Sequence, residues 1–499
     1  MVPPSTTTDN PLLALIRRQA HEHGTKPYLL DARSTRVLRY DQLCDGVDEH
    51  RRQLRSWGLT PGQRFALVVA DPLTFVSWFL AGIAVGAWVV PLDPTPGGLA
   101  ASSARATALG SLFAVSDQSP PEASIAWISA SSPASDTAEA FDDTGSQRGG
   151  IVLSSSGTTG TPKVMALSVE QLVAAAEVIA QHHQFIDLDR GFNPLPLWHV
   201  NAEVVGLLAT LVAGSSLVLD ERFHRTGFWN LVNSYNVTWI NAVPAIISRL
   251  CDLREGESPS RRIRFVRSAS APLAPALFER FEAEVGLPII QSYGMTEAAS
   301  QICVTPIDGT RKAGSVGVAA GVEVRVRAEG SQVGPIEIMG PTVIRRYESP
   351  GYEDRFDAEG WLRTGDLGYF DEDGYLFIVG RNDDVINRGG EKIYPLEIEQ
   401  MLLDVKGVGR AAAIGRADDV FGQVPVAFVQ PTEDVALSSL EELAALVDRI
   451  RIVAGERLPS AHRPVVIHVV AEIPLHATGK VHTSSLRQDD VTVIYEERL

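Results

Sequence analysis

Between Tyr40 and Gly380, short apolar runs of β character alternate with stretches of helical periodicity, and that alternation leaves few folds open to the chain. The runs at 65–69, 216–219, 237–240 and 263–266 are each largely apolar and each sit beside a helical segment. Strands that read as unbroken apolar runs are buried on both faces. Strands alternating with helices need crossover connections, so largely parallel sheets covered by helices are expected. Residues 73–92 carry no charge and are long enough to cross a bilayer. Gly82, Gly86, Pro91 and the β-like Trp88-Val89-Val90 divide them, so a buried helix over 72–85 and a buried strand ending at Pro91 are expected, with no membrane span.

Beyond Gly317 the pattern becomes short alternating strands with glycine turns, at 322–326, 336–338 and 375–379, the mark of an antiparallel β subdomain. Asp371-Glu372-Asp373-Gly374 contains part of a calcium loop without its remaining ligands and reads as a hairpin turn. Near the C-terminus, Leu440, Leu443, Leu446, Val447, Ile450 and Ala454 mark one face of a helix, with Ser439 and Glu442 as a capping box. Strands at 411–414, 424–429 and 465–470 around it make a small α+β unit.

A chain of 499 residues exceeds one ordinary core. Its 44 basic and 61 acidic residues leave a net charge of −17, which argues against a nucleic-acid partner. Cys44, Cys251 and Cys303 are scattered and odd in number, and residues 1–10 lack the pattern of a signal peptide, so a cytoplasmic location is expected. The pairs His21/His23 and His182/His183 have no metal-ligand neighbours and read as solvated helix residues.

The most specific string is Ser154-Ser155-Ser156-Gly157-Thr158-Thr159-Gly160-Thr161-Pro162-Lys163, which follows the apolar Ile151-Val152-Leu153 and precedes a helix starting near Ser168. Glycines let backbone approach a phosphate, hydroxyls add donors and Lys163 supplies charge. Pro162 stands where a Walker loop needs glycine, so this is a different phosphate loop. Further strings are Leu195-Pro196-Leu197-Trp198-His199-Val200-Asn201, Ser268-Ala269-Ser270-Ala271-Pro272, Gln291-Ser292-Tyr293-Gly294-Met295-Thr296-Glu297, Thr364-Gly365-Asp366, Gly380-Arg381-Asn382-Asp383 with Gly389-Gly390, and Thr478-Gly479-Lys480.

In this order the strings resemble the adenylate-forming superfamily of acyl-CoA synthetases, luciferases and peptide-synthetase adenylation domains, from roughly Tyr40 to Arg487. The resemblance implies an N-terminal domain over 1–380 with ATP and acyl sites, a hinge at 381–384 and a mobile C-terminal domain over 385–499. It also implies that Ser155, Ser156, Gly157, Thr158, Thr159, Gly160 and Lys163 wrap the ATP phosphates, with Ser270 and Ala271 close to the nucleotide. Tyr293 would stack on adenine, Thr296 would bind the α-phosphate, Glu297 would hold Mg²⁺, and Asp366 and Arg381 would take the ribose. Asp383 would be the pivot and Gly390 would face the CoA channel, while Lys480 would bridge carboxylate and α-phosphate.

By the same resemblance, His199 and Trp198 face the acid, and Ala202, Val205, Ala269 and Gly294 line its tunnel. Amino-acid-activating members usually carry an aspartate where His199 stands, so a hydrophobic acid without an α-amine is expected. Val164 and Arg346 depart from the family, which usually has glycine at both places. The expected reaction is activation of a carboxylic acid with ATP and Mg²⁺ to acyl-AMP and pyrophosphate, followed by transfer to CoA. The alternatives are transfer to a carrier-protein phosphopantetheine and, more remotely, a non-catalytic acyl-nucleotide-binding homologue.

Overall fold

The computed structural model describes residues 10–118, 124–132, 149–155, 163–328, 332–433, 435–475 and 481–499. A nine-stranded sheet has six inner strands running parallel: Pro27–Asp31, Ser216–Leu219, Arg190–Asn193, Trp239–Ala242, Phe265–Ser268 and Ile289–Tyr293. Short antiparallel strands close its two edges. In a second, six-stranded sheet, Ala126–Ser129, Phe113–Ser116, Arg64–Val68, Trp88–Pro91 and Gly150–Ser155 are parallel and Lys163–Ser168 returns antiparallel. Glu323–Val326, Gly334–Met339, Leu362–Phe370 and Leu376–Arg381 make a four-stranded antiparallel sheet. From Ile386 onward the chain builds a further sheet of six strands whose buried side chains form clusters of their own. The expected class, largely parallel α/β with an antiparallel β subdomain and an α+β C-terminal unit, is the one observed.

The charge-free stretch folds as the sequence requires. Helix Pro72–Ala84 starts with proline in its first turn and Asp71 as its cap, and strand Trp88–Pro91 follows. Gly82 lies against Phe65 and Val89, where a Cβ would stand 2.5 Å from the Phe65 ring, so the glycine sets how closely helix and sheet pack. Among the described residues no helix is long and apolar enough to cross a membrane.

Three local expectations need correction, and one is refined. Leu440 begins helix Leu440–Arg457 but is 67% exposed, because the buried stripe starts one turn later at Leu443. Ser439 accepts from the Glu442 amide, whereas the Glu442 carboxylate turns to the Ala436 amide at 2.8 Å, so only half of the capping box forms. His183 is fully buried and not solvated, its Nδ1 bonded to the Ile179 carbonyl at 2.9 Å and its ring beside Phe185 and Phe265. Asp371 and Asp373 both hold Lys312 Nζ, at 2.5 and 2.6 Å, and Asp371 caps the turn between two strands of the antiparallel sheet.

Burial lowers His182 to about 4, with the Arg267 charge acting in the same sense, and it holds His183 well below the ordinary value of 6.5. Both therefore stay neutral in the fold where an unfolded chain would take up protons. Stability from this pair is complete above about pH 6.5 and declines as pH falls from there toward 4. His183→Phe should flatten the acid side of a plot of thermal midpoint against pH, and an unchanged slope would contradict the assignment.

Candidate active site

Parallel strands deliver their carboxyl ends to one side of a sheet, and ligands in open α/β folds bind there. Strand Phe265–Ser268 ends into the loop with Ser270 and Ala271, and Ile289–Tyr293 ends at the turn Thr296–Ala298, which carries Glu297. Ser270, Ala299 and Ser300 have φ of 72°, 48° and 92°, three of six non-glycine residues in the left-handed region among those described. Such conformations cost energy and collect at functional loops. Gly294 is required by a close approach, since a Cβ would stand 1.3 Å from the Ser300 carbonyl oxygen.

Tyr293 and Asp366 come from different sheets and meet, the phenol donating to Asp366 Oδ2 at 2.5 Å. Burial, reinforced by that carboxylate, holds the phenol far above its usual range, so it stays a donor. Asp366 follows Gly365 at φ 85° and pairs across the antiparallel sheet with Arg381, whose Nε is 3.6 Å from Asp366 Oδ1. A carboxylate with an aromatic ring on one side and a guanidinium on the other can accept two vicinal hydroxyls while the ring stacks on a base.

Glu297 is 6% exposed, and its Oε1 accepts from Tyr347 Oη at 2.8 Å. Lys163 Nζ lies 5.7 Å from the centre of the Tyr347 ring and 5.3 Å from that of Tyr352. Burial lowers the Lys163 pKa, Arg355 adds to the shift, and Glu297 opposes it. Among the described residues no three His, Cys, Asp or Glu side chains cluster as a metal cage. A single shielded carboxylate beside a phosphate loop suits Mg²⁺, which is commonly held by one or two carboxylates together with substrate phosphates.

Residues 156–162, with Ser156, Gly157, Thr158, Thr159 and Gly160, lie outside the described residues, as does Lys480. Their anchors are described. Ser155 pairs with Lys163 where strand Gly150–Ser155 turns back into Lys163–Ser168, and Leu475 bridges Val481 at the foot of the Lys480 loop. At Val164 the backbone is part of strand Lys163–Ser168 and outside the left-handed region, so no glycine is needed there; its amide donates to Ser349 Oγ at 3.0 Å and its carbonyl accepts from the Glu348 amide at 2.8 Å. Arg346 is exposed and outside the left-handed region, so the turn before Tyr347 needs no glycine.

On the acyl side, Trp198 and His199 lie just before a π-helical segment, Asn201–Leu208, in which Ala202 and Val205 are fully buried. π-Helical turns are rare and gather at functional sites. Burial lowers His199 to about 4, and its Nε2 has no partner, so a neutral ring has one nitrogen free to bond an acid. Ala269 is buried at the end of its strand. Asp383 stands in a short turn, Asn382–Asp384, 4.0 Å from Arg355, and Asp384 is bonded to Arg487 at 2.7 Å. Gly389 and Gly390 form a two-residue hairpin turn at φ 61° and 95°, conformations that glycine adopts without strain.

The structure thus brings together Lys163, Tyr293, Thr296, Glu297, Asp366 and Arg381, while Trp198 and His199 precede the π-helical segment whose Asn201 bonds Ser270, the residue after Ala269. Sequence reasoning missed Tyr347 and a buried polar group formed by Asn201, Asn241, Arg267 and Ser292. The charge of Arg267, directly after the run expected at 263–266, was the one available signal for that group.

Such a site belongs to the enzymes that join an acid to a nucleotide before passing it on. Residues 16–348 match the AMP-binding enzyme family and residues 397–480 match the AMP-binding enzyme C-terminal domain. The chain is 33% identical to a sulfoacetate–CoA ligase of Cupriavidus necator over 95% of its own length and 97% of that protein. It is 33% identical to an oxalate–CoA ligase of Arabidopsis thaliana over 68% of this chain and 67% of that one. The structure of o-succinylbenzoate CoA synthetase from Bacillus subtilis with its acyl-adenylate intermediate superposes with a TM-score of 0.82 at 26% identity, covering 95% of this chain and 97% of that one. The chain therefore belongs to the AMP-binding enzyme family. It is an ATP-dependent acid–thiol ligase, activating a carboxylic acid as acyl-AMP and transferring it to CoA.

Tyr347→Phe removes the one hydrogen bond shown on the Glu297 carboxylate. Hydrogen bonds to charged groups contribute about 1.5–3 kcal/mol, so the Mg²⁺ concentration giving half-maximal pyrophosphate exchange should shift by roughly tenfold or more. A variant titrating with Mg²⁺ as the wild type does would remove Tyr347 from the site.

Proposed function

We propose that the acid is short and polar, and that each half-reaction is served by a different face of the C-terminal unit. The observation carrying the residue assignment is the meeting of Tyr293, Asp366 and Arg381 beside Lys163 and Glu297, from segments far apart in the chain. Tyr293 stacks on adenine and Asp366 accepts the ribose hydroxyls with Arg381 beside it. Ser155, Ser156, Gly157, Thr158, Thr159, Gly160 and Lys163 hold the β- and γ-phosphates, and Ser270 and Ala271 flank the nucleotide. Thr296 donates to the α-phosphate, and Glu297 is the carboxylate that holds Mg²⁺. When bound, Mg²⁺ supplies positive charge against the phosphate oxygens.

In the first half-reaction a carboxylate oxygen attacks the α-phosphorus and the bond to pyrophosphate breaks. The reacting groups are anions, so fixed donors at that point lower the barrier. His199, neutral above about pH 4, orients the carboxylate through one ring nitrogen. Lys480 bridges the carboxylate and the α-phosphate. In the second half-reaction the CoA sulfur attacks the acyl carbon, the thiol proton is lost and AMP leaves. Rotation about Asp383 would exchange the Lys480 face for the Gly390 face between these steps, dividing the chain into 1–380, a hinge at 381–384 and 385–499.

The acids named for the three relatives each bear two anionic groups, and this supports a polar acid over the hydrophobic one that Ala202 and Val205 suggested. A cytoplasmic location fits the three unpaired cysteines. Transfer to a carrier protein in place of CoA is the second reading. It is favoured only by the exposed Val420 and Phe421 beside the Gly389 turn, an apolar spot on which a protein could sit.

Lys480→Ala should slow pyrophosphate exchange by roughly 10²–10³-fold, as expected for loss of a preorganised charge, while supplied acyl-AMP still gives thioester with CoA. Equal loss in both assays would end the division of labour. Wild-type enzyme that releases acyl-AMP but gives no thioester with CoA alone would favour the carrier protein. Because His199 is neutral across the working range, the rate should show no limb near the ordinary imidazole value of 6.5. His199→Asn should lower the rate without changing the shape of the profile, and loss of a limb near that value would reverse this assignment.

A further inference from the structure

Arg267 is fully buried in the middle of the nine-stranded sheet. Its guanidinium donates to Asn201 Oδ1 at 2.9 Å, Asn241 Oδ1 at 3.3 Å and Ser292 Oγ at 2.9 Å. Each of these acceptors is neutral, and Nε has no partner among the described residues. Among the described residues no carboxylate bonds to it. Arginine is almost never fully buried unless paired, and an uncompensated interior charge is costly. Burial lowers its pKa to about 9, which still leaves it charged at neutral pH. Asn241 donates to Asn193 Oδ1 at 2.9 Å and Asn201 to Ser270 Oγ at 3.3 Å. The fully buried Glu203 carboxyl, two residues after Asn201, has no partner among the described residues, and burial raises its pKa well above the usual carboxylate range, which favours its neutral form.

The position of this charge is informative. Asn201 follows His199 by two residues at the start of the π-helical segment, Ser292 directly precedes Tyr293, and Ser270 belongs to the loop that follows Ala269. Two of its three acceptors, Asn201 and Ser292, therefore hang from segments that also carry a residue of the acyl or nucleotide site. The guanidinium is thus tied to the segments that carry His199 and Tyr293, and Ala202 and Val205, next to Asn201 on the π-helical segment, are fully buried and apolar.

We propose that Arg267 is the specificity-determining group of the acyl pocket, and that it pairs with the second anionic group, a carboxylate or sulfonate, of a short dianionic acid. The first carboxylate faces His199 and is the one adenylated. This rests on the acid–CoA ligase reading above. The second anion supplies the counter-charge that the fold omits, and the neutral amides keep the guanidinium fork aimed until it arrives. An acid of the same shape with a neutral end would leave that charge unpaired, and a site built this way rejects such analogues strongly.

The test compares diacids with their monoamides in the wild-type enzyme: oxalate with oxamate, malonate with malonamate and succinate with succinamate, together with sulfoacetate and a panel of monocarboxylic acids. Pyrophosphate exchange is the readout. The best diacid or sulfonate should exceed its neutral-ended counterpart in kcat/KM by about 100-fold or more. Arg267→Gln should raise KM for that acid by a similar factor, leave KM for ATP unchanged and narrow its margin over the monoamide. Arg267→Lys should recover part of the loss. Equal use of diacids and monoamides, or preference for a monocarboxylic acid, would overturn the assignment and leave the ligase reading standing. Exchange at background with every acid would overturn both. Should the variants fail to fold, the diacid–monoamide ratio of the wild type decides alone.

Discussion

Two tyrosine–carboxylate hydrogen bonds hold the site together. Tyr293 joins the end of the parallel sheet to Asp366 in the antiparallel sheet, and Tyr347 reaches from the loop after that sheet's second strand to Glu297. Each phenol is buried and held far above its usual range, first by burial and then by its carboxylate partner, so each remains a donor at any working pH. The carboxylates are thereby fixed before nucleotide arrives, and catalysis by electrostatic preorganisation depends on that kind of rigidity. The strained backbone at Ala299 and Ser300 belongs to the same turn, which the close contact at Gly294 presses into shape.

Net charge gives the surrounding problem. A chain at −17 has to accept ATP, a carboxylate and CoA, all anions, without a basic surface to gather them. Its cations are placed locally instead: Lys163 against two aromatic rings with Arg355 and the exposed Arg381 near it, and Arg267, the one fully buried among them, inside the sheet. A buried cation interacts more strongly with its ligand than an exposed one and is screened less by salt.

Much of this was legible in the sequence. The alternation of apolar runs and helices predicts the parallel sheets, and Tyr293, Glu297, Asp366 and Arg381 stand in strings whose resemblance to the adenylate-forming superfamily implies nucleotide chemistry. What escaped depends on contacts between distant segments. Arg267 reads as a charge at a strand end until Asn201, Asn241 and Ser292 are seen to close over it. His183 looked solvated because its neighbours in sequence are polar, whereas Phe185 and Phe265 enclose it in space. Glu442 has the spacing of a capping box but finds the Ala436 amide better placed, a choice that sequence spacing does not decide.

The chain from Tyr347 to Ser349 joins two parts of the site that are usually considered apart. Tyr347 grips Glu297, while Glu348 and Ser349 are stitched to Val164, at the root of the hairpin that carries the phosphate loop. Three successive residues thus touch both the Glu297 carboxylate and the strand that begins at Lys163. Whatever steadies one end steadies the other, so ATP and Mg²⁺ should each bind more tightly in the presence of the other even before they touch. Thermodynamic reciprocity requires that the gain be the same in both directions.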